Sequence, residues 1–506
     1  MWTGSKGRSP GVARARRSRR RQPAFVPAWK PKQRPLLRLS DQGAPVPIDP
    51  GLFGIGGRDR GWNAHAENFI SANRPQLTAL DIQPEFAAQA REIALRLRPG
   101  GVVGAVPLRT PDTRKVAGGV VVRPRFGWEG IGPLLQQIGW VASPRVLELP
   151  LVPGSAREVP PWVLAGPVLQ RLASLLREIR KGFRMHEDVR QVPRGQILWQ
   201  RYVAEQASRG AFHQMPCRFP ELGPDALLRS YLRWGLERVH RSLVPYAVVD
   251  SIARRLSEQA EGLLVGLRDA SARAPDRRTL DQLLRGAGLP SAVLQQGLQA
   301  LAWIVDERGL AGAAETDGLA WALPMHELFE RWVEHVVRLW GREFGGQVLA
   351  GRAHETVVPI DWDRRAHGSM KSLVPDLVVR HQDRVYVIDA KYKGHFQEFD
   401  DARWLALSEE LRDEHRCDLH QVLAYASLYE AAEMTAVLVY PMRERTWTRL
   451  AERGRTVVQA RLSGGGRLLR LALAALPLRT PEAGSISTVV RSLDRLRATD
   501  PHGAAA

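Results

Sequence analysis

The sequence predicts an α/β (α+β) chain, with an N-terminal mixed α/β region, a helical middle region and a C-terminal domain whose central mixed sheet is flanked by helices. Three observations predict it. Apolar residues recur at three and four between Leu227 and Leu264, the period of helices. Val-rich runs of strand length stand between Val374 and Lys391 and again at Ala436 to Tyr440, with helical patterns before and between them. Upstream of Pro220 the two kinds of pattern alternate. With 506 residues, 44% hydrophobic and 25% charged, the chain can bury cores in two to four domains, which excludes collagen-like, mucin-like and wholly disordered classes.

The expected parts are an Arg-rich disordered tail over 1–40, a mixed α/β region over 41–219, a helical region over 220–323, a sheet domain over 324–480, and a C-terminal helix and tail over 481–506. Pro31 to Pro50 is punctuated by proline, and Gly51 to Gly61 carries five glycines with little periodicity, so folding is expected to begin near residue 60. Helices are predicted at Pro84 to Leu97 and Val163 to Phe183, with strands at Gly119 to Arg123 and Val146 to Leu151. In the middle region Leu227, Leu228, Tyr231, Leu232 and Leu236, then Val248, Ile252, Leu256, Leu263 and Leu264, mark helices, with breaks at Ala274 to Asp276 and Gly286 to Pro290. His326 to Trp340 reads as an amphipathic helix burying Phe329, Trp332, Val333, Val336 and Trp340. Strands follow around Val348 and Val357, at Val374 to Arg380 and Val385 to Lys391. A helix is expected from about Cys417 to Glu430, a strand at Ala436 to Tyr440, and a strand or short helix at Leu468 to Leu476. No repeat of solenoid length is present.

Lys+Arg exceed Asp+Glu by 20, and residues 1–38 supply twelve of those charges with no acid. A disordered arm of this kind neutralises phosphates, although an early start codon in a GC-rich gene gives the same composition. No run approaches the ~20 apolar residues of a membrane span, and the basic N-terminus lacks an apolar signal core, so a cytoplasmic protein with no membrane partner is expected. Cys217 and Cys417 are the two cysteines, which excludes a disulfide framework and a cysteine zinc site.

The chemistry concentrates in Val374-Pro-Asp-Leu-Val-Val-Arg-His-Gln-Asp-Arg-Val-Tyr-Val-Ile-Asp-Ala-Lys-Tyr-Lys393. A two-residue turn at Gln382-Asp383 pairs 381 with 384 and, further down the ladder, Asp376 with Asp389. Directly opposed residues have Cβ atoms about 4.5–5.5 Å apart, and like charges there repel. Strand alternation puts Lys391 on the face of Asp389 and turns Ile388 and Ala390 the other way. Two carboxylates and a lysine on one face become favourable around a hard cation such as Mg²⁺, which takes one or two carboxylates plus water and phosphate oxygens. That is the chemistry of a phosphodiesterase, with Lys391 orienting water or stabilising charge on phosphorus. The alternative is a surface hairpin with solvated acids, and Gln-Asp is not a favoured hairpin turn.

Pro375-Asp376 followed by Asp389-Ala390-Lys391 resembles the PD-(D/E)xK nuclease superfamily, and within it the McrC-like nuclease subunits of McrBC-type modification-dependent restriction systems. Leu328-Phe329-Glu330-Arg331-Trp332-Val333 is similar to the pre-catalytic helix, and Asp418-Leu-His-Gln421-Val-Leu-Ala-Tyr425 to a post-catalytic helix also met in RecB-like nucleases. Val122-Arg-Pro-Arg125, Arg194-Gly-Gln-Ile197 and Cys217-Arg-Phe-Pro-Glu221 extend the likeness upstream, to about residues 60–480. The resemblance implies a restriction-endonuclease-like domain over 324–480. It also implies Glu330 as a third metal ligand beside Asp376 and Asp389, and Gln421 and Tyr425 as contacts to DNA or the active site. Each has a plainer reading: Glu330 on a solvated face with Glu327 and Glu334, Gln421 and Tyr425 as helix packing, and Lys393 as either a phosphate contact or a strand end. His326, His335, His354 and His420 have no metal-ligand spacing.

The resemblance further implies an anti-phage defence system in which this chain is a Mg²⁺-dependent DNA endonuclease, with Mn²⁺ as a substitute. It would dock through its N-terminal region on a ring of McrB-like AAA+ subunits that hydrolyse GTP or ATP. The chain itself has no nucleotide site: Gly464-Gly-Gly466 lacks the lysine and Ser/Thr of a P-loop. The other readings are a RecB-like or transposition-associated nuclease, a non-catalytic regulator or scaffold of an AAA+ motor, and a nucleic-acid-binding protein led by the arm. Deleting residues 1–38 should flatten the dependence of log K on log salt by about 0.9 for each phosphate that the arm neutralises. DNA titrations across salt concentrations measure this, and an unchanged slope means that the arm does not touch phosphate.

Overall fold

The computed structural model describes residues 35–48, 62–89, 92–140, 142, 144–147, 149–150, 152–153, 160, 162–179, 181–286, 292–305, 318, 320–364, 369–394, 396, 408–464, 467–479 and 486–497. The arginine block of the tail, the glycines of 51–61, most of the break at 286–290 and Gly465-Gly466 lie outside them.

The chain opens with β1 (Leu36–Ser40), β2 (Val46–Pro47), α1 (Trp62–Ala79), β3 (Ile82–Gln89), β4 (Glu92–Pro99), β5 (Val102–Arg109), β6 (Val116–Arg123), α2 (Ile131–Gln137), β7 (Arg145–Val146) and α3 (Trp162–Glu178). An arm follows, built from β8 (Lys181–Arg190), β9 (Gln196–Ile197), the single turn α4 (Trp199–Arg201) and β10 (Met215–Pro224). The helices α5 (Ala226–Leu243), α6 (Ser251–Val265), α7 (Arg277–Gly286) and α8 (Ala292–Val305) come next. Asp225 and Asp250 cap α5 and α6 through their carboxylates.

Two expectations fail in the N-terminal part. Residues 36–40, assigned to the tail, form β1, which pairs parallel with β6, so folding begins well before residue 60. Pro84 to Leu97, expected as a helix, forms the antiparallel strands β3 and β4. Leu95 and Leu97 are fully buried while Arg96 is half-buried and Arg98 exposed, a period of two that outweighs the Ala-rich composition of the segment. Of the strand expected at Val146 to Leu151, residues 148 and 151 lie outside the described residues, and among the described ones β7 ends at Val146, with an isolated bridge at Val152 beyond.

The C-terminal part contains β11 (Trp321–Pro324), α9 (Met325–Phe344), β12 (Gln347–Ala350), β13 (Val358–Pro359), β14 (Ser372–Leu373), β15 (Leu377–His381), β16 (Arg384–Ala390), α10 (Glu409–Ala426), β17 (Glu433–Met442), α11 (Glu444–Glu452), β18 (Val457–Gly464), β19 (Arg467–Pro477) and α12 (Ile486–Ser492). Its mixed six-stranded sheet has the order β12-β15-β16-β17-β19-β18. β17 lies between parallel neighbours and is buried along nearly its whole length, as an interior parallel strand must be. α10 starts eight residues before the expected Cys417 and is capped by Ser408, whose hydroxyl accepts from the Leu411 N–H at 3.3 Å.

The expected boundaries near 323 and 480 do not part the fold. β11 lies between β5 and β7 in the N-terminal five-stranded sheet and runs directly into α9. α12 packs on α9, and the Trp340 indole N–H donates to Asp494 at 3.2 Å, so residues beyond 481 complete the C-terminal part. One apolar core runs from Val103 through α3, α5, α8 and α9 to the β15–β19 sheet. Trp332 anchors this seam, fully buried, with its indole N–H on the Pro477 carbonyl at 3.0 Å. Among the described residues no helix is long and apolar enough to cross a membrane.

The start of β15 is set by a close backbone approach. The Gly351 N–H donates to the Asp376 carbonyl at 2.9 Å, and a Cβ on Gly351 would lie 2.4 Å from the Pro375 carbonyl oxygen. Gly351→Ala should therefore shift Pro375-Asp376 and cost about 1–3 kcal/mol. Urea unfolding measures this cost, and a neutral substitution would show that the approach is not constraining.

Candidate functional site: an acid–lysine centre on adjacent strands

The turn at Gln382-Asp383 forms as expected. Gln382 takes a left-handed backbone (φ 52°), and the ladder pairs His381 with Arg384 and so on to Leu377 with Ile388. One step further down, Asp376 stands against the end of β16, and its Oδ2 accepts from the Ala390 N–H at 2.8 Å. Asp389 is 2% exposed, and Lys391 Nζ lies 2.7 Å from its Oδ2. That contact is an ion pair off the axis of a hydrogen bond, so the buried Oδ2 has no well-aligned donor.

Helix α10 supplies the other side of the lysine. Lys391 Nζ donates to Gln421 Oε1 at 2.8 Å, and Gln421 Nε2 donates to the Tyr425 hydroxyl at 3.0 Å. Lys393, two residues further along the chain, donates to both oxygens of buried Asp418 at 3.0 and 3.2 Å. Two lysines two residues apart thus meet two acceptors three apart on a helix. Lys393 is spoken for by Asp418, a residue to which the sequence reading gave no role. The signal was present, since Asp418 and Gln421 share a helical face opposite alternating lysines.

A cavity of about 250 Å³ opens beside Asp376, bordered by Ala390, by Glu330 and Glu334 of α9, and by Arg352. Glu330 faces this cavity but is ion-paired with Arg352. Among the described residues no three His, Cys, Asp or Glu side chains gather as a metal-holding group. The structure therefore brings Asp376, Asp389, Lys391, Gln421 and Tyr425 into one connected site and keeps Glu330 on the cavity wall with a different partner. Arg352 was missed because nothing in Gly351-Arg352-Ala353 marks it; it is brought there by the turn after β12.

Burial governs the charges. Asp376 is pushed up to about 6 by desolvation, opposed by the Ala390 N–H and reinforced by the charge of Glu330. Asp389 is also pushed up to about 6, by desolvation and then by Asp376, with Lys391 opposing. Glu330 is raised by burial against the pull of Arg352. Burial works to lower the Lys391 pKa, but the Asp389 carboxylate overrides it and the ammonium is held more firmly protonated than usual. Two desolvated carboxylates on adjacent strands, one with an oxygen lacking an aligned donor, suit a divalent cation that takes its remaining ligands from water or phosphate.

A mixed α/β protein that gathers a buried aspartate, a half-buried one and a lysine at the ends of neighbouring strands is the class defined by this fold and site. The particular family follows from the sequence. The model of the McrBC 5-methylcytosine restriction system component matches residues 161–441, more than half of the chain, and the chain belongs to that family. No curated protein matches it. Among solved structures it is similar to a chain of the half-complex from the tetradecameric assembly of Thermococcus gammatolerans McrB AAA+ hexamers with bound McrC. The identity is 13% and the TM-score 0.39, over 91% of this chain and 100% of that one. A chain of the cryo-EM structure of the Thermococcus gammatolerans McrBC complex is also similar, at 10% identity and TM-score 0.27, over 60% of this chain and 88% of that one.

The raised carboxyls give a pH-dependent stability. The folded-state pKa of Asp376, about 6, lies above its unfolded value. The stability gained on its protonation is therefore fully present below about pH 4 and lost as pH rises through 6. In metal-free buffer at pH 7.5, Asp376→Asn should raise stability by about 1–3 kcal/mol, an advantage that fades towards pH 4. Thermal unfolding in EDTA across pH checks this; an Asp376→Asn protein less stable at pH 7.5 would contradict the repulsion argument.

Proposed function

We propose that the chain is the Mg²⁺-dependent DNA endonuclease subunit of a McrBC-like restriction system, acting in concert with an AAA+ GTPase or ATPase of McrB type. The observation that carries this reading is Asp376 beside Asp389 at the ends of paired strands, with Lys391 at 2.7 Å from the second carboxylate. A purely structural hairpin has no use for two desolvated acids side by side, because their repulsion destabilises the folded chain. Membership of the restriction-system family agrees with a nuclease, and intact Asp376, Asp389 and Lys391 count against a subunit that has lost its chemistry.

Asp376 and Asp389 would hold the cation, which when bound polarises the scissile phosphate and acidifies a water. Lys391 stays protonated between Asp389 and Gln421, so its ammonium is available to orient the attacking water or to meet negative charge building on phosphorus. Gln421 fixes the lysine rotamer, and Tyr425 fixes Gln421. Arg352, on the cavity wall, can exchange Glu330 for a backbone phosphate as a charge-assisted donor. Glu330 then becomes free to approach the cation, the third-ligand role that the family resemblance gives it.

Docking on the motor is assigned to the N-terminal region. Its arm exposes Val192, Trp199, Val203 and Phe212, each more than 60% accessible, a concentration of apolar surface suited to a protein partner. The motor itself is part of the proposal, and membership of the restriction-system family is what supports it.

With the chain co-purified with its AAA+ partner, cleavage of methylcytosine-containing plasmid should require Mg²⁺ and should vanish in Asp389→Ala and Lys391→Ala. Both variants should still fold and assemble. In the absence of DNA, Mg²⁺ should raise the Tm of the wild type but not of Asp389→Ala. Equal cleavage by wild type and Asp389→Ala would place the activity elsewhere, and melting of either variant far below wild type would make the residue structural.

A further inference from the structure

Beyond Lys391 the catalytic strand leaves the sheet. The Lys391 N–H makes its last sheet bond, to the Val439 carbonyl at 2.8 Å, and the Lys393 N–H then returns to the Lys391 carbonyl at 2.8 Å. This is a three-residue turn centred on Tyr392, held by one short-range hydrogen bond. A turn so short leaves the direction of Lys391 dependent on whatever holds its central side chain.

Tyr392 is held by the N-terminal sheet. Its hydroxyl donates to Asp41 Oδ2 at 2.7 Å across 351 residues of sequence. Asp41 is fully buried just after β1, and the backbone N–H of Arg125 donates to its other oxygen. The Arg125 guanidinium lies 4.8 Å from the centroids of both the Tyr392 and the Phe126 rings, within cation–π range. Phe126 and Phe329 pack on the Tyr392 ring with centroids at 6.1 Å. Burial pushes the Asp41 carboxyl up, while the Tyr392 hydroxyl and Arg125 favour its ionised form. Such a contact is costly to assemble, since an ionisable group is withdrawn from water at a seam where apolar residues would pack without penalty. Arg125 ends the Val122-Arg-Pro-Arg125 motif, for which the site itself has no use.

The turn divides its contacts between two sides. Lys391 and Lys393 turn to α10, while Tyr392 turns to Asp41 and Arg125. We propose that Tyr392 is a positioning residue, whose hydroxyl, bound by Asp41 and covered by Arg125, fixes the turn after the catalytic strand and so holds Lys391 against Asp389. The inference rests on the nuclease reading above. It makes the N-terminal sheet part of the machinery that sets the active-site geometry, rather than a separate docking module.

The test uses the full chain with its AAA+ partner, Mg²⁺ and methylcytosine-containing plasmid, with Asp389→Ala as the blank. Tyr392→Phe keeps the ring and removes the hydroxyl. It should lower kcat roughly tenfold to a hundredfold while KM for DNA changes less than about twofold, the pattern expected when positioning alone is impaired. Amide exchange at residues 391–393 should accelerate in the same variant. Because Tyr392→Phe also strips a partner from a buried carboxylate, the double variant Asp41→Asn/Tyr392→Phe removes that charge and keeps the acceptor for Arg125 N–H. It should recover Tm towards wild type and leave kcat low. A kcat that recovers with Tm makes the contact merely structural and overturns the inference, as does wild-type kcat in Tyr392→Phe. Absence of cleavage by the wild type overturns the nuclease reading and the inference together.

Discussion

Two carboxylates withdrawn from water at the ends of neighbouring strands repel one another, and much of the C-terminal part is arranged around holding them there. The antiparallel register of β15 and β16 sets Asp376 beside the end of the strand that carries Asp389. The parallel pairing of β16 with the buried strand β17 prevents that edge from moving away. Lys391 offsets part of the charge, and Gln421 keeps the lysine from swinging into solvent. What remains uncompensated is the raised affinity of both acids for protons.

The site is assembled from parts of the chain that lie far apart. α9 brings Glu330 to the cavity, and it follows without a break from β11, which belongs to the N-terminal sheet. The same helix is held beside Glu330 by Trp332 on Pro477 and towards its far end by Trp340 on Asp494. The N-terminal sheet and the cavity-lining helix are thus joined by packed residues of one continuous core.

Much of this was legible in the sequence, and the reasons can be named. The Gln382-Asp383 turn was readable because two apolar runs of equal length flank it, and a register once set by a turn carries every pair below it. α9 was readable because its apolar stripe is wide and ends at Gly345, which closes the helix with a left-handed backbone. Pro84 to Leu97 was misread because its alanines suit a helix while Leu95 and Leu97 obey a strand period, a conflict that only pairing with β3 resolves. β1 was hidden in the tail because five residues bounded by prolines look like a linker until β6 offers them a partner. The start of α10 was missed because the Ser408 cap precedes a stretch with no clear apolar stripe.

By itself the sequence determined the chemistry on the hairpin: which residues carry charge, that Asp376 meets the end of the Asp389 strand, and that Lys391 shares the Asp389 face. These depend on turn geometry and strand alternation, which act over neighbouring residues. Only the tertiary structure decided which charges are neutralised and by whom. It gave Lys393 to Asp418, Glu330 to Arg352 and Tyr392 to Asp41, pairings of 25, 22 and 351 residues in separation. Such contacts follow from how sheets and helices stack to bury their apolar faces, and no local pattern encodes where distant polar groups come to rest once that stacking is complete.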